Sequence, residues 1–263
     1  MARRSERAPL GWDLLLGLVL AAMVCALFWW VFSNLDTAWG WSRAWDFRQS
    51  LWRGWVVTLE LSAGALAGSC VVAGLLVAGQ RTRYRSLGWF SRAFVELVRG
   101  MPLLTLVLIG YYVVFAQSQV AGLLDRFGVG SKLWTGAALL SVFTGAYLSE
   151  ILRGGLESIP QGQIDSARAV GFDRYQVFRW VVMPQALRRV LPALAGQFVS
   201  LVKDSSLLSV IGVQEFTAQA RAFNSATYGG IEAFLPLAAG YLLLTLPLAG
   251  VAHAMERHFR YQM

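Results

Sequence analysis

Charged and hydroxyl side chains are conspicuous in this sequence because so much around them is apolar. Lys203 and Asp204 fall inside the stretch Val190–Val213, and Glu150 lies near the end of the stretch Leu133–Leu152. Ionisable groups in such surroundings are costly and mark a cavity, a partner or a reactive centre. At helical spacing Gln197, Ser200 and Asp204 fall within about a 60° arc, with Lys203 beside Ser200. That stripe suits recognition of an ammonium or a carboxylate. The alternative is that Lys203 and Asp204 pair with each other or with another helix and only pin the span. Tyr111 and Thr144 are the other polar positions considered for such a site. Reactive chemistry is thin. Glu150 and Asp204 are the only acid–base candidates inside apolar stretches, and neither H-E-x-x-H nor G-x-S-x-G occurs. His253 and His258 stand five apart, off the one-face spacing of a metal pair. Gly128-Val129-Gly130-Ser131-Lys132 imitates only a fragment of the phosphate loop G-x-x-x-x-G-K-[ST], so nucleotide hydrolysis by this chain is not expected.

Composition explains why polar groups are so sparse. The 263 residues are 56% hydrophobic and 14% charged, and the mean hydropathy is +0.52. A soluble domain carries roughly 25% charge, so lipid is the expected solvent. Eleven tryptophans and eight tyrosines suit two membrane–water interfaces. The net charge of +8 is accounted for by basic residues flanking apolar stretches, and nucleic-acid binding is not expected. Cys25 and Cys70 sit in apolar runs and read as small buried hydrophobes rather than a disulfide or metal pair.

A membrane-crossing helix needs about 20 mostly apolar residues. Six stretches qualify in whole or in part: Trp12–Phe32, Trp55–Gly79, Phe94–Ala116, Leu133–Leu152, Val190–Val213 and Phe234–Met255. The first is too long for a signal-peptide core and lacks a small-residue cleavage site. With the N-terminus in the cytoplasm, Arg3, Arg4, Arg7, Arg81, Arg83, Arg85, Arg92, Arg153, Arg168, Arg174, Arg179, Arg188, Arg189, Arg257 and Arg260 fall inside. Only Arg43, Arg48, Arg53, Arg126, Lys132 and Arg221 fall outside. That asymmetry places both termini in the cytoplasm. The fifth stretch is interrupted by Pro192, Gln197, Lys203 and Asp204, and so is expected to be bent or incomplete. Gly64 and Gly68 form a small-xxx-small step, read as close packing within the chain.

The longest polar stretch, 153–189, is patterned as a folded element. Ser158 and Pro160 suit a helix start, with Ile164, Ala167 and Val170 on one side of the helix that follows. Gly171 suits a left-handed terminator. Asp173 and Gln176 suit a capping box opening a second helix, checked by Pro184. A helix–glycine–helix element of this kind is suited to being gripped by a soluble partner. A plain connector between spans is the other reading.

Asp165-Ser166-Ala167-Arg168-Ala169-Val170-Gly171, then nine residues, then Val181-Val182-Met183-Pro184, resembles the EAA signature of bacterial ATP-binding cassette (ABC) importer permeases. The resemblance covers about residues 54–258. It includes Thr58-Leu59-Glu60-Leu61-Ser62, Glu150-Ile151-Leu152-Arg153-Gly154-Gly155 and Leu201-Val202-Lys203-Asp204-Ser205-Ser206-Leu207. Arg99-Gly100-Met101-Pro102-Leu103-Leu104 is similar to the R-G-T-P-L-L element of the polar amino-acid subfamily, with Met101 replacing Thr. The resemblance implies an all-α polytopic bundle of the type I importer fold. A five-helix permease core over 53–263 would follow an added N-terminal segment, 1–52. It also implies two permease subunits forming one path, two ATPase subunits carrying ATP and Mg, and a binding protein that delivers a polar or charged amino acid. Gln163, Asp165, Ala167, Arg168, Gly171 and Phe172 would meet the ATPase. Gln197, Ser200, Lys203 and Asp204, with Tyr111 and Thr144, are the positions taken for the substrate path. This subunit would itself need no cofactor or metal. It would sit in the bacterial inner membrane.

An ion channel or ion-coupled transporter would tolerate Lys203 and Asp204 but needs no element for an ATPase. A membrane enzyme would need acid and base at one depth. The topology is directly testable. Single cysteines at Ser5, Gln161 and Gln262, in a chain lacking Cys25 and Cys70, should resist an impermeant thiol reagent in intact cells. Ready labelling at Gln161 would reverse the orientation.

Overall fold

The computed structural model describes residues 10–34, 41–117, 122, 126 and 130–260, and the described residues contain helices and no strands. Arg3, Arg4, Arg7, Ser5, Gln262 and part of the Gly128–Lys132 fragment lie outside them. The chain divides into two units, 1–40 and 41–263. In the first, helix α1 (Leu10–Ser33) has 24 residues, about 36 Å at 1.5 Å per residue. Every described side chain from Leu14 to Trp30 is exposed. It ends where Ser33 Oγ and Asn34 Nδ2 both donate to the Trp30 carbonyl.

The second unit runs α2 (Trp41–Asp46), α3 (Arg48–Gln80), α4 (Arg85–Gly100) and α5 (Leu103–Ile109), the last widening into a π-turn, Gly110–Phe115. There follow α6 (Lys132–Glu157), α7 (Gln161–Ala169) and α8 (Arg174–Gln176). A second π-turn, Val177–Val182, leads into α9 (Met183–Asp204), which tightens to 3-10 geometry over Ser205–Ile211. Helices α10 (Phe216–Thr227) and α11 (Gly230–Arg260) complete the unit. Arg48–Gln80, Lys132–Glu157, Arg174–Ile211 and Gly230–Phe259 are each long and apolar enough to cross a bilayer.

Two expected spans differ from their reading in the sequence, Phe94–Ala116 as one span and Val190–Val213 as a bent or incomplete one. The stretch Phe94–Ala116 is broken: Arg85–Gly100 and Leu103–Phe115 meet at 110°. Pro102 disfavours helical geometry at the residue before it, and Met101 is extended at φ −104°, ψ 144°. The stretch Val190–Val213 begins much earlier, at Arg174, and runs to Ile211. Pro184 does not stop it. The run passes directly from the π-turn Val177–Val182 into α9, and such a local widening is one of the adjustments by which a spanning helix accommodates a proline.

The core lies along the seam between α3 and α6. Lipid supplies no hydrophobic drive between helices, so close approach through small residues must replace it. A Cβ at Gly68 would stand 2.9 Å from Ser141 Cβ, and one at Gly145 would stand 2.7 Å from Val72 Cβ and 3.2 Å from the Ser69 carbonyl. Ser141 Oγ shares its one proton between the Ala137 carbonyl of its own helix at 2.7 Å and the Ala65 carbonyl across the seam at 3.1 Å. Leu61, Ala65, Leu140 and Ala146 are buried beside it, with Val95, Val107 and Leu201 reaching in from neighbouring helices. The small-xxx-small step therefore packs within the chain at Gly68. Cys25 and Cys70, expected to be buried, are both exposed; an apolar residue on a spanning helix meets its solvent by facing lipid.

Gly68→Leu should cost about 1–3 kcal/mol through overpacking and lower the yield of folded protein extracted in mild detergent. Gly74→Leu, where a Cβ meets nothing within 4 Å, should leave the yield unchanged. Equal yields would show that the seam tolerates bulk.

Candidate functional site

The polar stretch after α6 folds as a compact element. Ser158, expected to cap α7, instead ends α6: it keeps helical φ and ψ (−73°, −9°) and its Oγ donates to the Gly155 carbonyl at 2.7 Å. Pro160, extended at ψ 132°, opens α7 with no side-chain cap. Ile164 and Ala167 hold that helix against a cluster of Ile159, Val177, Val182 and Ala186. Val170 leaves this face and is 80% exposed, because the helix has already closed. Phe172 N–H donates to Ala167 O at 3.1 Å and Gly171 N–H to Arg168 O at 2.9 Å, the paired bonds of a Schellman terminus. They require the left-handed φ of +97° at Gly171. The next helix starts at once. Asp173 Oδ1 accepts from Gln176 N–H at 2.8 Å, and Gln176 Oε1 accepts from Asp173 N–H at 2.9 Å. The capping box forms as expected.

All six residues expected to meet the ATPase lie on this one element. Gln163, Asp165, Arg168, Gly171 and Phe172 are exposed and Ala167 is half-buried. Asp165 takes Gln161 Nε2 at 3.0 Å and Arg168 Nη1 at 3.6 Å. Beyond Gly171, Tyr175 and Trp180 are among the exposed large side chains.

On α9 the helix runs unbroken through Gln197, Ser200 and Asp204, so the three share the arc read from their spacing. Gln197, Ser200 and Asp204 are half-buried and Lys203 is exposed. Ser200 Oγ donates to the Gly196 carbonyl at 3.4 Å. Among the described residues neither Lys203 nor Asp204 forms an ion pair, so mutual pairing does not pin this span. Tyr111 lies in the π-turn and packs on the core with its ring edge-on to Tyr112. Thr144 is fully buried, its Oγ1 without a partner among the described residues.

Two polar clusters escaped the sequence reading. Glu150 is held by Arg153 Nη2 at 2.6 Å and Arg99 Nη1 at 3.3 Å, while Arg153 Nη1 also reaches Glu157 at 2.7 Å. A carboxylate so paired is engaged structurally. The i, i+3 and i, i+4 spacings to Arg153 were visible in the sequence; the approach of Arg99 was not. Glu215 is fully buried and caps α10, accepting from Thr217 and Ala218 N–H and from Tyr241 O–H at 3.0 Å. Burial pushes its carboxyl above the usual carboxylate range, opposed by those two N–H groups. Thr58 Oγ1 accepts from the adjoining Phe216 N–H at 3.1 Å, fixing this turn to α3.

An all-helical bundle with several bilayer-length helices, joined on one edge by a capped helix–glycine–helix element, has the architecture of a transporter's membrane subunit. Residues 70–261 match the family described as binding-protein-dependent transport system inner membrane component, and the chain belongs to that family. It is a multi-pass inner-membrane protein. It is 35% identical to the probable glutamine ABC transporter permease protein GlnM of Bacillus subtilis (strain 168), over 78% of this chain and 90% of that protein. It is 33% identical to the glutamine transport system permease protein GlnP of Escherichia coli (strain K12), over 84% of this chain and 97% of that protein. The crystal structure of an amino acid ABC transporter with histidines superposes with a TM-score of 0.73 and 26% identity, covering 84% of this chain and all of that one. An inward-facing structure of the MetNI methionine ABC transporter, TM-score 0.61 and 19% identical, shares the fold.

Proposed function

We propose that this chain is the membrane-spanning permease subunit of an ABC importer that carries a polar or charged amino acid into the cell. The observation that carries the reading is the helix closed at Gly171: an ordered element whose inner face is held by the bundle and whose polar outer face is left exposed. Relatives named for glutamine, nopaline and octopine transport support the amino-acid class. In this reading each of two ATPase subunits receives one such helix through Gln163, Asp165, Arg168 and Phe172, with Ala167 holding it to the bundle. ATP and Mg are bound by those partners, and this subunit needs neither. A second permease, identical or homologous, completes the path, and a substrate-binding protein loads it from outside. Both termini and the Gly171 element face the cytoplasm. Residues 53–263 form the permease core, preceded by an added segment at 1–52.

The work of ATP hydrolysis then reaches the path mechanically. The Schellman terminus and the capping box join α7 to the long helix that carries Gln197, Ser200, Lys203 and Asp204. Their mixed polarity suits a zwitterion passing between them, with Tyr111 and Thr144 as further positions along it.

Two variants test the coupling and the path separately. Gly171→Asp meets no atom within 4 Å, so it should insert and assemble normally. It strains a left-handed position and adds a charge at the docking surface, and should abolish substrate-stimulated ATP hydrolysis in proteoliposomes. Full transport with normal assembly would reduce the element to a connector. Gln197→Ala and Ser200→Ala should raise the apparent KM for uptake at least fivefold with basal ATPase activity intact. If they lower only the amount of assembled complex, the stripe is structural.

A further inference from the structure

A cavity of about 320 Å³ opens where the C-terminal ends of α3 and α6 meet α4, at the small end of the range for ordinary ligand sites. Four of the charges on its wall neutralise one another: Glu150 with Arg99 and Arg153, and Arg153 with Glu157. Four other groups there remain unmatched. Arg81 and Arg92 line the cavity with no carboxylate paired to either among the described residues, and Glu96 lines it with no basic partner. The fourth is Gln80, 6% exposed. Its Nε2 points to Glu150 Oε1 at 3.5 Å, which fixes the amide's orientation, since an ionised carboxylate only accepts. Its Oε1 is then left buried with no donor among the described residues.

We infer that this cavity binds the zwitterionic head of an α-amino acid. Arg81 and Arg92 take the α-carboxylate, with the fork geometry that guanidinium groups bring to it. Gln80 Oε1 and Glu96 receive the α-ammonium. A bare anion such as phosphate would leave Gln80 Oε1 and Glu96 facing further acceptors. A polyamine would bring positive charge against Arg81 and Arg92. Only a group carrying both charges matches what the wall leaves open. The cavity is distinct from the stripe on α9, and Glu157 on its rim immediately precedes the Ser158 turn into α7. It therefore lies at the edge of the bundle that carries the Gly171 element. The identity of the ligand as an amino acid rests on the importer reading above, which puts it on the product side of transport.

The test uses the complete transporter, permease and ATPase together, in lipid nanodiscs without the binding protein. Radiolabelled L-glutamine, L-histidine, L-arginine and L-glutamate are the probes, with agmatine and inorganic phosphate as competitors. At least one amino acid should bind saturably, and both competitors should displace it at least tenfold less well than the unlabelled amino acid. Arg92→Ala, an exposed position on α4 where folding is not at stake, should weaken binding at least tenfold, as should Gln80→Leu. Gly74→Ala, where an added Cβ meets nothing within 4 Å, should leave this binding unchanged. Phosphate competing as well as the amino acid, with Glu96→Gln neutral, would make this a bare-anion site and overturn the assignment. So would the absence of saturable binding in a complex whose uptake with its binding protein is intact. Retained binding in a complex that takes up no amino acid would instead sink the importer reading and keep the site.

Discussion

The α3–α6 seam is the constraint on which the rest of the molecule depends. In lipid, two apolar helices gain nothing by leaving the solvent for each other, so contact must come from shape and from hydrogen bonds. Gly68 against Ser141 and Gly145 against Val72 bring the backbones close enough for Ser141 Oγ to reach the Ala65 carbonyl on the other helix. Along that seam α3 presents Thr58 to the α10 turn, and α6 delivers Glu150, already paired with Arg153, to Arg99. The helix–glycine–helix element hangs from the end of α6, and the Gln80 cavity opens beside it. The Glu150 cluster, the Glu215 turn, the cavity and the helix–glycine–helix element are thus all referred to this pair.

Prolines then decide where helices change direction. Pro102 turns the chain through 110° between α4 and α5, whereas Pro184 and Pro192 are passed without interruption of the helical run from Arg174 to Ile211. The difference lies in what surrounds each residue. Met101 is driven to extended geometry at a point where Gly100 already weakens the helix. Pro184 follows directly on a π-turn, whose wider bonding accommodates it. The same residue type breaks one span and is carried by another.

The features legible in the sequence were those set by local chemistry. The Asp173–Gln176 box and the Gly171 terminus followed from residue types at fixed offsets, because caps are closed by atoms within a few residues of each other. The apolar spans followed from composition. The bend at Pro102 and the run through Pro184 were misread, since neighbouring geometry decides whether a proline ends a helix. Ser158 was placed at the wrong helix end for a related reason: a hydroxyl two residues before a proline can serve either neighbour. The Arg99–Glu150 pair and the buried Glu215–Tyr241 contact were invisible, because they join residues 51 and 26 positions apart and leave no periodic trace.

The unbroken helical run from Arg174 to Ile211 has 38 residues, about 57 Å at 1.5 Å per residue. Its first turn is closed by the Asp173 box, and it departs from α geometry at the π-turn Val177–Val182 and over Ser205–Ile211. Tilting a rod of that length by 5° displaces its far end by about 5 Å, close to one helical turn. Under the proposed coupling, the same tilt imposed beside Gly171 would carry Asp204, roughly 45 Å along the rod, through about 4 Å.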